Sequence, residues 1–300
     1  MKETGFSGVK GRAGEFVAKT LLLGFVICLA FLDTGCAVMG RRLILPGLLQ
    51  GKPQAVLPPD PSYELIALHT QDGTRIVGQF GKAEAPVDEP HRDVAHVPTV
   101  IFFYGMRQNL AAPSNQKVFR GLRAMGVNVF FPEFPGHGMS GGSPGERQCY
   151  AAADAALDYL LGRADIDHDR IIAAGRSLGA ATAIDLASRR HLAGLIAVGG
   201  FTNAADMAVA APIWTPRWLA NALTANCRFD NLAKIKSVSC PILLVYGTRD
   251  TVVPPWMAER LASAATAPVT RLPVPSVHND LWKSDYFGLN AAVRDWMQAR

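Results

Sequence analysis

The sequence predicts an α/β domain: a mostly parallel sheet of about eight strands, flanked by helices. Two patterns carry that prediction. The continuous apolar run Thr99–Phe103 reads as a strand covered on both faces, and Val127–Phe131 reads as another strand. Segments of helical spacing lie between such runs, and strands regularly separated by helices pack as a parallel sheet. Length supports the reading, because 300 residues bury a core that needs no disulfide or metal staple.

Tyr63–His69 and Arg75–Phe80 alternate apolar and polar residues around Gln71-Asp72-Gly73, a hairpin signal that puts an antiparallel pair at one edge. Residues 81–96 carry Pro and charge and read as a loop. In Asn115–Met125 the residues Val118, Phe119, Leu122 and Met125 share one helical face, and the Val127–Phe131 strand follows. Tyr150–Leu161 is an Ala-rich amphipathic helix. Strands over Arg170–Ala174 and Gly194–Val198 enclose a helix over Leu178–Arg190. Pro241–Tyr246, Trp256–Ala265 and Val269–Leu272 repeat strand, helix and strand, and a last helix runs to Arg300. Residues 203–236 break the rhythm. Trp214, Trp218, Leu219, Leu223 and Phe229 make this stretch apolar, as a small cap that lines a pocket or as a helical insertion packed on the core.

Composition excludes several classes. The net charge of +5 comes from interspersed signs, with no basic stripe, zinc-finger spacing or RNA-binding motif, so nucleic acid is not an expected partner. No repeat of solenoid or propeller length occurs. Three organisational units emerge: residues 1–36 as a signal or anchor, 37–62 as a Pro-, Gly- and Leu-rich linker or strap, and 63–300 as the folded domain. Lys2, Lys10, Arg12 and Lys19 precede an apolar run over Thr20–Leu32, too short to span a bilayer comfortably but suited to a secretory signal. Gly35-Cys36 follows and resembles a bacterial lipoprotein signal, with Asp33 where an apolar residue is usual. Three readings therefore stand, a lipid attached to Cys36, an uncleaved signal anchor, or a plain secreted or soluble chain; the first two put the domain at a membrane of the cell envelope, facing the periplasm or exterior. Of the remaining cysteines, Cys227 and Cys240 could bridge, although buried free thiols are the commoner outcome.

The pattern Gly-x-Ser-x-Gly occurs three times, at Ser140, Ser143 and Ser177. It marks a strand-to-helix turn so sharp that only glycine fits beside the nucleophile. Ser177 alone follows an apolar strand and opens a helix, whereas Ser140 and Ser143 have loop on both sides. A serine hydroxyl needs a base to take its proton, and the base needs an acid to fix its tautomer. Asp250 follows the Pro241–Tyr246 strand in Gly247-Thr248-Arg249-Asp250, and His278 follows the next strand. They are the expected acid and base. The backbone N–H groups of Leu178 and Met106 are the expected oxyanion donors, with Gly105 letting the backbone approach. Tyr104, Trp214 and Trp218 are candidate pocket residues.

From about Tyr63 to Arg300 the chain resembles the α/β-hydrolase superfamily, in its serine-aminopeptidase-like and bud-emergence-type groups, many of them membrane-anchored. The resemblance rests on Phe134-Pro-Gly-His-Gly-Met-Ser140, Asp169-Arg-Ile-Ile-Ala-Ala-Gly-Arg-Ser-Leu-Gly179, Phe201-Thr202-Asn203, Tyr246-Gly-Thr-Arg-Asp-Thr-Val-Val-Pro254 and His278-Asn279-Asp280. It departs at Tyr104-Gly105, where the superfamily usually shows His-Gly. The resemblance implies a serine hydrolase that forms an acyl-enzyme and needs no metal or organic cofactor. Carboxylic or lipid esters are the first substrate class. An aminopeptidase-like amide hydrolase, an acyltransferase and a non-catalytic membrane-tethered scaffold are the alternatives.

Overall fold

The computed structural model describes residues 56–84, 96–211, 215–281 and 287–300, the first four residues of the last segment by backbone only. Cys36 and Trp214 lie outside the described residues. Strands β1 (Glu64–His69) and β2 (Arg75–Gly81) form an antiparallel hairpin whose turn uses Gly73 at φ 79°. Asp72 and Thr70 side chains accept the Thr74 N–H, which closes that turn.

β3 (Thr99–Phe103), α1 (Pro113–Ala124) and β4 (Asn128–Pro132) begin the parallel region. α1 starts with Pro113, whose missing N–H is harmless in a first turn, and buries Val118, Phe119 and Leu122 on one face. α2 (Glu146–Leu161), β5 (Ile171–Arg176), α3 (Leu178–Arg189) and β6 (Gly194–Val198) follow. Three short helices, α4 (Ala204–Ala210), α5 (Arg217–Leu223) and α6 (Asn231–Lys234), lead to β7 (Ile242–Gly247), α7 (Pro255–Ala264), β8 (Val269–Val274) and α8 (Phe287–Gln298).

The eight strands form one sheet in the order β1-β2-β4-β3-β5-β6-β7-β8. β2 pairs antiparallel with β1 and β4, and every pairing from β4 to β8 is parallel. The predicted eight-stranded, mostly parallel fold is the observed one. The central strands β3, β4, β6 and β7 are buried at every position, as strands covered on both faces must be. Phe102, Phe103, Phe130 and Phe131 are each at most 1% exposed, and full burial of such a ring stabilises by about 2–3 kcal/mol.

Chain order matters here more than strand count. From β3 the chain runs outward to β4 and then returns past β3 to β5, so the connections leave β3 and β5 in opposite directions. The crevice beyond the carboxyl ends of two such strands is where open α/β sheets bind ligands. Tyr104–Arg107 and Ser177 both emerge there. Leu57 is buried against the core, so the described end of the segment before β1 is strapped to the domain. Among the described residues no helix is long and apolar enough to cross a membrane.

Candidate active site

The turn from β5 into α3 is made by Gly175-Arg176-Ser177-Leu178-Gly179, and its glycines are demanded by backbone contact. A Cβ on Gly175 would lie 2.1 Å from Gly179 O, and one on Gly179 would lie 1.9 Å from Phe103 O. Ser177 sits at φ 53°, ψ −114°, a conformation that costs a non-glycine residue about 1–3 kcal/mol. Its backbone N–H donates to Val198 O at 2.9 Å, which ties the strained residue to the end of β6. The strain holds the hydroxyl out of the turn, over the ends of the strands.

Asp250 and His278 are brought together as the sequence predicts. Asp250 Oδ2 lies 2.7 Å from His278 Nδ1, and both residues are buried, at 3% and 7% exposure. The other carboxylate oxygen, Oδ1, accepts from the N–H groups of Val252 (2.9 Å) and Val253 (2.8 Å). Three hydrogen bonds therefore orient the carboxylate and aim it at the imidazole. The ring rests against Gly199, where an added Cβ would come within 3.1 Å of His278 Cε1. Gly199 directly follows Val198, the residue that holds Ser177. On the neighbouring side, Arg176 Nη2 donates to Asn279 Oδ1 at 3.3 Å. Ser177 and His278 are thus bracketed by contacts between their neighbours. No hydrogen bond joins the serine hydroxyl to the imidazole among the described residues, and such bonds commonly tighten only when substrate is bound.

The expected oxyanion donors lie on the two segments that frame Ser177. Leu178 opens α3, where the first amides have no acceptor within the helix. A Cβ on Gly105 would approach Ser177 Cβ to 3.9 Å, so the Gly105-Met106 backbone lies alongside the elbow. Arg107 follows at φ 64°, a second non-glycine residue in the left-handed region, at the turn of this loop.

Tyr104, a candidate pocket residue, has its side chain in the core. The ring packs edge-on to Phe134 with centroids 5.0 Å apart, and the hydroxyl accepts the Phe134 N–H at 3.0 Å. Trp218 is 71% exposed on α5, and Phe229 is fully buried with its ring edges on Tyr150 and Phe201. Of the aromatics in the 203–236 stretch, Phe229 packs on the core. The three described cysteines, Cys149, Cys227 and Cys240, are buried and form no disulfide with one another, so the possible Cys227–Cys240 bridge is not formed.

Ser140 has a structural occupation. Its Oγ accepts the Val77 N–H at 2.9 Å and donates to Glu133 O at 3.1 Å, fastening the Gly-rich loop to β2. The residue that sequence reasoning missed is Glu133. It is fully buried, and its two oxygens accept the N–H groups of Leu110 (2.8 Å) and Met139 (2.7 Å). One carboxylate therefore couples the loop after β3, which carries Met106, to the Gly-rich loop after β4. Gly138, at φ 44°, makes the room, because a Cβ there would overlap the Glu133 carboxylate at 2.3 Å. Burial pushes the Glu133 carboxyl up to about 7, against the pull of the Leu110, Met139 and Tyr104 hydrogen bonds. The signal available in the sequence was an acid directly after the buried strand Asn128–Pro132, which is apolar from Val129 onward.

A mostly parallel sheet, a glycine-flanked serine at the end of its central strand, and an Asp–His pair on the loops after β7 and β8 define an α/β hydrolase. Comparison with known proteins agrees. The model of the prolyl oligopeptidase family matches residues 118–272, just over half of the chain, and the chain belongs to that family. It is 32% identical over 216 residues to an uncharacterised protein of Mycobacterium tuberculosis, covering 72% of each chain. It is 30% identical over 256 residues, 80% of each chain, to the alpha/beta hydrolase domain-containing protein WAV2 of Arabidopsis thaliana. Among solved structures it is similar to the Pyrococcus furiosus esterase Pf2001, with TM-score 0.69 and 19% identity over 83% of this chain and 97% of that one. A puromycin-hydrolyzing peptidase of Mycobacterium tuberculosis matches at TM-score 0.63 and 19% identity, over 80% of this chain and 41% of that one. At these identities the solved structures share the fold.

Proposed function

We propose that this hydrolase is a serine enzyme acting on carboxylic or lipid esters through Ser177, His278 and Asp250. Ser177 Oγ attacks the ester carbonyl while His278 Nε2 takes its proton. Asp250 accepts the Nδ1–H, which fixes the tautomer and stabilises the imidazolium. The Leu178 and Met106 N–H groups meet the charge that develops on the carbonyl oxygen. The imidazolium then protonates the departing alcohol, and water, activated by the same imidazole, cleaves the acyl-enzyme. The observation that carries this reading is the buried 2.7 Å Asp250–His278 hydrogen bond on the strand ends beside a serine strained to φ 53°. A surface salt bridge would need neither the burial nor the strain.

Amide hydrolysis is the second reading, favoured by membership of the prolyl oligopeptidase family and by likeness in fold to a puromycin-hydrolyzing peptidase. Acyl transfer and a non-catalytic scaffold stand behind it. The N-terminal segment is proposed to hold the domain at a membrane of the cell envelope, through a lipid on Cys36 or an uncleaved anchor.

The test is the intact mass of the full chain before and after a fluorophosphonate, with Ser177→Ala and Asp250→Asn alongside. One adduct on the wild type, none on Ser177→Ala and labelling slowed about 10³–10⁴-fold in Asp250→Asn are expected. A folded wild type that takes no adduct sinks the enzymatic reading and brings the scaffold forward. Ester and aminoacyl amide substrates then separate the first two readings.

A further inference from the structure

Beside the elbow lies a cavity of about 160 Å³, walled by Tyr104, Gly105, Lys117, Arg176 and Asn279 among others. It adjoins the reacting serine, because Gly105 forms part of its wall and lies against Ser177. Two of its lining residues are cationic, Arg176 and Lys117, and none is acidic.

Arg176 differs from the ion-paired arginines, although Arg75, Arg170 and Arg249 likewise have no Asp or Glu partner among the described residues and bond to main-chain oxygens. Elsewhere, Arg163, Arg189, Arg190 and Arg217 are each paired with carboxylates at 2.5–3.1 Å. Arg176 has no ion-pair partner among the described residues. Its single described hydrogen bond is the one from Nη2 to Asn279 Oδ1, and its Nε is buried with no acceptor among the described residues. Burial lowers its pKa, and the charges of Asp250 and Asp280 oppose that shift. Asp250 is in any case committed to His278, Val252 and Val253. A partly desolvated guanidinium with an unused donor costs stability unless something accepts from it.

We propose that this cavity is an anionic subsite that binds a carboxylate carried on a short arm of the substrate, with Arg176 as its principal partner and Lys117 at its mouth. The inference rests on the hydrolase reading and narrows its substrate class. A guanidinium offers paired N–H donors that match a carboxylate. At about 30 Å³ per water-sized group the space holds a carboxylate and roughly two or three methylenes. A larger cleft of about 710 Å³ includes Arg189 and Arg190, but Asp154 and Asp158 already neutralise them.

The carboxylate could sit on the acyl side or on the alcohol side, and paired esters separate the two. On the acyl side, monomethyl glutarate is compared with methyl pentanoate. On the alcohol side, 4-acetoxybutanoate is compared with butyl acetate, each followed in a pH-stat at low ionic strength with the full chain. In one pair kcat/KM for the anionic ester is expected to exceed that for its neutral partner about tenfold or more. That ratio should fall about tenfold in Arg176→Met and several-fold in Lys117→Met, and added salt should lower it in the wild type. A structural role for Arg176 would depress both esters together and leave the ratio alone. Neutral preference in both pairs, or a ratio untouched by both substitutions, overturns the proposal. Should the chain hydrolyse no ester and take no fluorophosphonate, the hydrolase reading has failed separately. Glutarate titrated calorimetrically then decides the subsite, with binding lost in Arg176→Met supporting it and no wild-type binding refuting it.

Discussion

Gly138-Met-Ser140-Gly-Gly142 and Gly175-Arg-Ser177-Leu-Gly179 share one pattern and do opposite things. At Ser177 the glycines are pressed against backbone, with added Cβ atoms landing 2.1 Å from Gly179 O and 1.9 Å from Phe103 O. At Ser140 the loop instead bends around a buried carboxylate. Gly138 yields to Glu133, and Ser140 turns inward to satisfy Val77 and Glu133. The elbow strains its serine outward, whereas the loop spends its serine on hydrogen bonds and leaves the residue 4% exposed. A short motif therefore acquires meaning from the element before it and the element after it.

Exchanging each serine gives the largest contrast. Ser177→Ala is expected to lower ester hydrolysis by about 10⁴-fold or more and to abolish fluorophosphonate labelling. Ser140→Ala should keep the adduct. Mass spectrometry of the two labelled variants checks this, and loss of labelling in Ser140→Ala alone would reverse the assignment.

The glycines come next. Gly179→Ala drives a methyl group into the Phe103 carbonyl and is expected to cost about 4 kcal/mol or more, or to prevent folding. Gly141→Ala meets nothing closer than Arg75 O at 3.4 Å and should cost about 1 kcal/mol or less. Urea unfolding of the pair measures the gap, and equal midpoints would mean that the elbow is looser than its contacts require.

Glu133 adds a pH dependence that the elbow lacks. Its folded carboxyl titrates near 7 instead of the ordinary 4.5. Between those values the unfolded chain has released the proton while the folded chain keeps it, so stability falls as pH rises through that window. The loss from this group is about 3 kcal/mol and is complete above pH 7 or so. Glu133→Gln removes that slope but leaves one of the Leu110 and Met139 N–H groups facing an NH₂ group, at about 1–3 kcal/mol. Unfolding curves at pH 5 and pH 8 for both proteins check the sign, and parallel changes in the two would rule it out.

The smallest effects are local. Ser140→Ala should cost about 1–2 kcal/mol, because the Val77 N–H loses its acceptor. Ser177→Gly should unfold at a higher temperature than Ser177→Ala by an amount near 1 kcal/mol, since glycine alone adopts φ 53°, ψ −114° without strain. If the two melt together, the turn is not strained.

The sequence by itself determined the fold class, because continuous apolar strands separated by amphipathic helices admit only a covered parallel sheet. It also determined which serine stands at a strand-to-helix turn, since Ile171-Ile172-Ala173-Ala174 before it and Leu178 after it are local facts. It paired Asp250 with His278 through chain order, and the fold brings them to 2.7 Å. Tertiary structure decided what depends on contacts across the chain. The start of α2 moved to Glu146, four residues before the expected Tyr150; the Glu146 carboxylate accepts the Tyr150 hydroxyl and the distant Phe229 N–H. Phe134 supplies Tyr104 with a hydrogen bond and a packing surface, so its ring is buried in the core while the residue still lines the small cavity beside the elbow. In the sequence Glu133 is an acid with no assigned role, and Arg176 is a basic residue inside the elbow motif that could meet an anionic substrate group but for which a surface or salt-bridge role is the commoner reading. Only the crossing at β3 and β5 buries one between two loops and leaves the other beside the serine with a donor to spare, because burial and partnership are properties of neighbours far apart in sequence.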